Sequence, residues 1–245
     1  MSKEIKGKRI MQSLFLQEEE YISKNFDLNH ESGSKLLIRL MEKTKEFIKS
    51  SGFKSGQYPE CSIILHALHT LMALNNSLVL LSKGYMGDCE AVHKRAVEFV
   101  LRAIYFREFP QEERKWREKT GKLLDRKSIA SILDEKHEQK AIFPTDSETF
   151  WGDFVYDSIY KSINEWAHGD FQAMYYEVAI DNGTEYYTHK FVIGPKPDER
   201  FVKTMIRRLI HTCRIQVLFL AQTLSYPPEK YHDLMIESEK YLTNN

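Results

Sequence analysis

The stretch that decides the fold is residues 60–109, ECSIILHALHTLMALNNSLVLLSKGYMGDCEAVHKRAVEFVLRAIYFREF. In its first half, Glu60 to Ser82, apolar residues surround the helix instead of forming one stripe, the pattern of a helix in the middle of a core. The run is long enough to cross a membrane. His66, His69, Asn75 and Asn76 interrupt it, however, and would be costly in lipid, so a buried core helix and no membrane partner are expected. Lys83-Gly84-Tyr85-Met86-Gly87 then breaks the periodicity, and Asp88 stands where a cap is wanted for a helix reaching Phe109 ahead of Pro110. So short a turn makes an antiparallel helical hairpin, the expected centre of the fold.

Helical spacing continues on both sides. Ile10, Leu14 and Tyr21, interleaved with Met11, Phe15 and Ile22, predict a first helix near 8–25. Leu36, Leu37, Leu40, Met41, Phe47 and Ile48 predict a second, ended by Ser50-Ser51-Gly52. Charges dominate 111–140, where Trp116, Leu123, Leu124, Ile129, Ile132 and Leu133 mark the inner face of a solvated arm or two short helices. Pro144-Thr145-Asp146 offers the start of a helix to Gly169. Asn182-Gly183 between two β-rich runs is a hairpin signal and predicts a ribbon of 175–181 and 185–193. A long helix over 198–224 follows, and Pro227-Pro228 opens a last one with Tyr231, Leu234, Met235, Tyr241 and Leu242 inward. The expected fold is mainly all-α: one domain over 1–245, a bundle of seven or eight helices with its core in 35–224 and a two-stranded insert near 175–193.

Composition agrees. Of 245 residues, 42% are hydrophobic, which sets the chain apart from a disordered one, and Gly (11) and Pro (7) are too sparse for an all-β protein. Three scattered cysteines, Cys61, Cys89 and Cys213, make no disulfide framework and read as cytosolic thiols. The N-terminal charges lack a following apolar segment, so no signal peptide is expected. With 35 Lys+Arg against 35 Asp+Glu the chain is not basic throughout, as a dedicated nucleic-acid binder usually is. The neutrality is uneven: 146–181 sums to −7, whereas 196–214 sums to +4 and 35–54 holds six bases against two acids. Blocks of opposite sign are expected to pair within the chain or across a homodimer.

The chemistry-bearing spacings are few. Glu90/His93, Asp134/His137 and Glu165/His168 each put a carboxylate and an imidazole on one helix face, as helical di-metal sites do. Glu90, His93, Glu165 and His168 are therefore the alternative metal set, although 60–82 offers no inward carboxylate to complete it; no cofactor is expected. No Gly-x-Ser-x-Gly elbow, dinucleotide fingerprint or phosphate-cradling loop occurs. Arg95 and Glu98, three apart in an apolar helix, predict either a buried latch or a polar pocket in which Arg95 binds an anion and Glu98 and His168 handle a proton.

The segment 75–106, with Arg95-x-x-Glu98 after the Gly-containing turn, and Tyr160, Ser162, His168 and Gly169 further on, resembles a family of bacterial helical proteins of unknown function. The resemblance covers roughly 60–170. It implies a site of Arg95, Glu98 and His168, with Tyr160, Ser162, Asn164 and Glu165 as binding residues. More distantly the layout is similar to the HEPN superfamily, whose metal-independent ribonucleases join Arg and His of a short motif across a dimer. Here 161–164 read Lys-Ser-Ile-Asn, without that Arg. The function expected is a cytoplasmic accessory or regulatory binding module, in a stress or phage-defence setting by analogy, with a homodimer or protein as partner. The alternatives are a HEPN-like ribonuclease, which alone would take RNA, and a di-metal carboxylate enzyme. Whether the chain is an enzyme is left open.

Overall fold

In the computed structural model the described residues are 31–52, 60–121, 124–137, 178–180, 189–191 and 199–244, with Glu19, Ile22 and Val155 as isolated positions. They form seven α-helices: α1 (Glu31–Ser50), α2 (Glu60–Ser82), α3 (Met86–Glu108), α4 (Pro110–Arg117), α5 (Arg126–His137), α6 (Glu199–Thr223) and α7 (His232–Asn244). The all-α expectation holds for these residues. The expected helices at 8–25 and 144–169 lie outside them.

The α2–α3 hairpin is the most extensive pairing. α6 lies against α1, α2 and α3, α5 packs on α3, and α7 closes on α6 and α1. The core joins Leu37, Leu40 and Phe47 of α1 to Leu74 and Leu81 of α2, Leu101 and Phe106 of α3, Ile129 and Leu133 of α5, and Leu209, Cys213 and Phe219 of α6. Val155 belongs to the same cluster. Burying each large apolar side chain of this cluster is worth about 1.5–3 kcal/mol, and this packing, more than intrinsic propensity, is what orders the helices.

Backbone geometry explains the turns. α2 ends in a left-handed residue, Gly84 (φ +81°), whose N–H donates to Leu81 O (3.0 Å) while Tyr85 N–H donates to Leu80 O (2.9 Å). These two bonds satisfy carbonyls the helix end would leave bare. Because the turn closes this quickly, α3 starts at Met86 with Tyr85 in the capping position, and Asp88 is not the cap its sequence position predicts but a carboxylate inside the first turn. Asp125 caps α5 instead, accepting from Ser128 N–H (3.0 Å) and Ser128 Oγ (2.7 Å). Pro110 takes the first position of α4, so the charged arm is two short helices. At the far end Pro228–Lys230 forms a single 3₁₀ turn and α7 begins after it, at His232. Tyr226, just before it, stacks on Phe47 with centroids 4.3 Å apart.

The basic helices find acids within the chain: Arg39 of α1 pairs with Glu237 (2.6 Å), and Arg214 of α6 pairs with Glu239. The acidic block 146–181 lies mostly outside the described residues. Within it, Val178–Ile180 pairs antiparallel with His189–Phe191, Ile180 opposite His189. The rest of 175–193 lies outside the described residues.

Candidate functional site

Two polar interruptions of the core stripe face each other across α3 and α6. Glu90 and His93 are three apart on α3 and stand on one face of it, and Arg208 and Thr212, four apart, occupy the matching face of α6. Arg208 Nη1 donates to Glu90 Oε1 (2.9 Å), Thr212 Oγ1 donates to Arg208 O (3.1 Å), and the His93 ring meets Thr212 Oγ1 through Nε2 (2.8 Å). Since the Thr212 proton is committed to the carbonyl, His93 Nε2 must be the donor and Nδ1 a bare lone pair. Glu90 (1% exposed) and His93 (0%) are sealed from water, and Glu90 Oε2 and His93 Nδ1 have no partner. Burial outweighs Arg208 and pushes the Glu90 carboxyl up to about 7. Burial, helped by the Arg208 charge, pushes His93 down to about 3. At neutral pH His93 is a neutral imidazole that donates through Nε2, and Glu90 exchanges a proton close to that pH. The sequence pairs Glu90 with His93 but misses Arg208 and Thr212. The available signal was two polar residues four apart inside the apolar stripe Met205, Leu209, Cys213.

Arg95 and Glu98 do not form the buried latch. Arg95 is exposed, and Glu98 accepts from Arg126 Nη2 of α5 (2.8 Å). The reason is helical geometry: Arg95 lies on the solvent side of α3, whereas Glu98, three residues on, borders α5, whose Ile129 and Leu133 are buried. Tyr160, Ser162, Asn164, Glu165 and His168 lie outside the described residues, so the rest of the expected pocket and of the metal set does too. Among the described residues no three His, Cys, Asp or Glu side chains group into a metal site.

His66 of α2 is a core histidine. Its Nδ1–H donates to Ser62 O (2.7 Å), Phe99, Phe106 and Trp116 meet its ring edge-on at 5.3–5.9 Å, and burial lowers its pKa. Ser62 Oγ donates to Glu113 Oε1 (2.5 Å), which also accepts from Arg117 Nε (3.2 Å), so this patch fastens α4 to α2. Cys61, Cys89 and Cys213 are buried free thiols, and burial pushes Cys213 up to about 12, away from nucleophilic use.

The expectation that α2 is buried all round needs correction. One line of it faces water: Leu65 (47% exposed), Leu68 (37%), Met72 (60%) and Val79 (46%), with His69, Asn75 and Asn76 alongside. Apolar surroundings on every side are compatible with a covered or an uncovered face, and α3, α6, α1 and α4 pack on the other sides. α2 is the one described helix long and apolar enough to cross a membrane, and half of that apolar window is buried in the fold. Compared with protein-family models, curated proteins and solved structures, the chain has no match.

Proposed function

We propose that the chain is a single-domain, cytoplasmic helical binding module of accessory or regulatory kind, which docks a protein through the exposed seam of α2. The observation that carries this reading is the line of Leu65, Leu68, Met72 and Val79 on a helix with no charged residue from Cys61 to Ser82. In a chain of which 29% is charged, four large apolar side chains exposed along one uncharged helix face are what a protein docking site can present. The buried, free thiols fit a reducing compartment. The ribbon over 175–193 belongs to the same reading as a second surface with strand edges, supported by the pairing of Val178–Ile180 with His189–Phe191.

A photo-crosslinking side chain introduced at Met72 in the producing cells tests the docking reading. Protein adducts are expected there and not with the same group at Lys45, on the charged face of α1. Equal yields at the two positions would overturn the reading.

A further inference from the structure

We propose that Arg208, Glu90, His93 and Thr212 close into one ring of hydrogen bonds through a proton carried by Glu90, and that this ring is a pH-sensitive clasp between α3 and α6. Three of its four links are in place, and all run in one sense. Arg208 Nη1–H donates to Glu90 Oε1 (2.9 Å), His93 Nε2–H donates to Thr212 Oγ1 (2.8 Å), and Thr212 Oγ1–H donates back to Arg208 O (3.1 Å). The fourth place lies between Glu90 Oε2 and His93 Nδ1, the two buried atoms of this group that have no partner. They belong to side chains three apart on α3, a spacing at which side chains reach one another. Nδ1 is a bare lone pair, so the link needs a donor, and Glu90 supplies one only as the carboxylic acid. A turn of its side chain gives Oε2–H to Nδ1 while Oε1 goes on accepting from the guanidinium. Both orphaned atoms are then satisfied, and each bond polarises the next.

Ionisation opens the ring. Without the proton, Oε2 and Nδ1 are two acceptors in a place sealed from water, neither of which can bond the other. Burial favours the acid and outweighs Arg208, so the exchange falls near neutrality, at about 7. Arg208 is the charge that acts on both Glu90 and His93. Cys89, next to Glu90, stays a neutral thiol, because burial, and then the Glu90 and Asp88 charges, hold it far above its ordinary range. The other titratable groups of the adjoining helices lie elsewhere: His66 and His69 of α2 meet Phe99 further along α3, Arg126 of α5 bonds Glu98, and His211 of α6 is set by burial, Arg214, Glu239 and Arg207.

Infrared spectra of the full chain test the proton, nitrogen NMR of His93 tests the bond, and amide exchange tests the clasp. At about pH 6 the wild type should show a carboxylic-acid C=O band that Glu90→Gln lacks, and the band should fade as pH rises through 7. The His93 Nδ1 resonance should carry the shift of a hydrogen-bonded lone pair in the wild type at that pH and in Glu90→Gln, whose amide donates in the same place. It should lose that shift in Glu90→Leu. Exchange protection of α3 and α6, taken relative to Glu90→Gln, should fall about tenfold per pH unit from about pH 5 to 7 and then level off. Absence of a band that Glu90→Gln removes overturns the proposal, since Glu90 is then ionised. A Nδ1 resonance alike in wild type and Glu90→Leu means that something other than Glu90 holds the lone pair, and overturns the ring. Protection that keeps one ratio to Glu90→Gln at every pH overturns the clasp. Gln is nearly isosteric with Glu, so the infrared and exchange comparisons stay decisive should Glu90→Leu fail to fold.

Discussion

His93 Nε2 and Thr212 Oγ1 lie 2.8 Å apart between α3 and α6, and the imidazole is wholly buried. A histidine held neutral this way ties stability to pH. Its value falls from 6.5 unfolded to about 3 folded, and half-buried His211 falls to about 4, by burial and then the Arg214 charge. Both are depressed bases, so their contribution is complete above about pH 6.5 and is lost as pH falls through the window below. Each proton taken up only by the unfolded chain costs about 1.4 kcal/mol per pH unit. Melting temperature should drop steeply from pH 6.5 to 4.5, and His93→Gln, which keeps a donor for Thr212, should flatten the slope. An unchanged slope in His93→Gln would refute the assignment.

Glu90 works in the opposite sense. Its folded value, about 7, is raised from 4.5, so its contribution is present below about pH 4.5 and disappears as pH rises through 7. Glu90→Gln resembles the protonated acid and escapes that loss, while Arg208, a quarter exposed, keeps access to water. Chemical denaturation should find the variant and wild type equal near pH 4.5 and the variant ahead by about 3 kcal/mol at pH 8. A variant weaker than wild type at pH 8 would mean that the Arg208 ion pair dominates.

Arg95 and Glu98 should separate cleanly. Arg95→Ala changes an exposed side chain and should move stability by less than about 0.5 kcal/mol. Glu98→Ala removes the acceptor of the Arg126 Nη2 bond and should cost about 1–2 kcal/mol, with Arg126→Ala non-additive in the double mutant. Denaturant midpoints of the four proteins measure this.

Gly33 of α1 lies where a side chain would meet Ile206 and Tyr241. A Cβ there would stand 2.7 Å from Ile206 Cγ2 and overlap the Tyr241 hydroxyl. Ile206 is fully buried and β-branched, so it has little freedom to yield. Gly33→Ala should therefore destabilise by about 1–3 kcal/mol despite the better helix propensity of Ala. Thermal melts check it, and Gly33→Ala with Tyr241→Leu should recover part of the loss.

What was legible in the sequence is what a short window carries. The 3.6-residue spacing of Leu36, Leu40 and Phe47, the break at Lys83-Gly84 and the stop at Pro110 name the helices and the central hairpin, because propensity and backbone sterics act over a few residues. Asp88 as a cap failed for a similarly local reason: the hydrogen bonds closing the turn at Gly84 and Tyr85 start α3 earlier. Partners are another matter. Glu90 meets Arg208, His93 meets Thr212 and Glu98 meets Arg126 across 118, 119 and 28 residues, and periodicity along one helix says nothing of the helix opposite. By itself the sequence determined that α2 is apolar around its whole circumference. Only the tertiary structure decided which side the neighbouring helices cover and which line, Leu65 to Val79, they leave to water, because that depends on how many helices can pack around one cylinder.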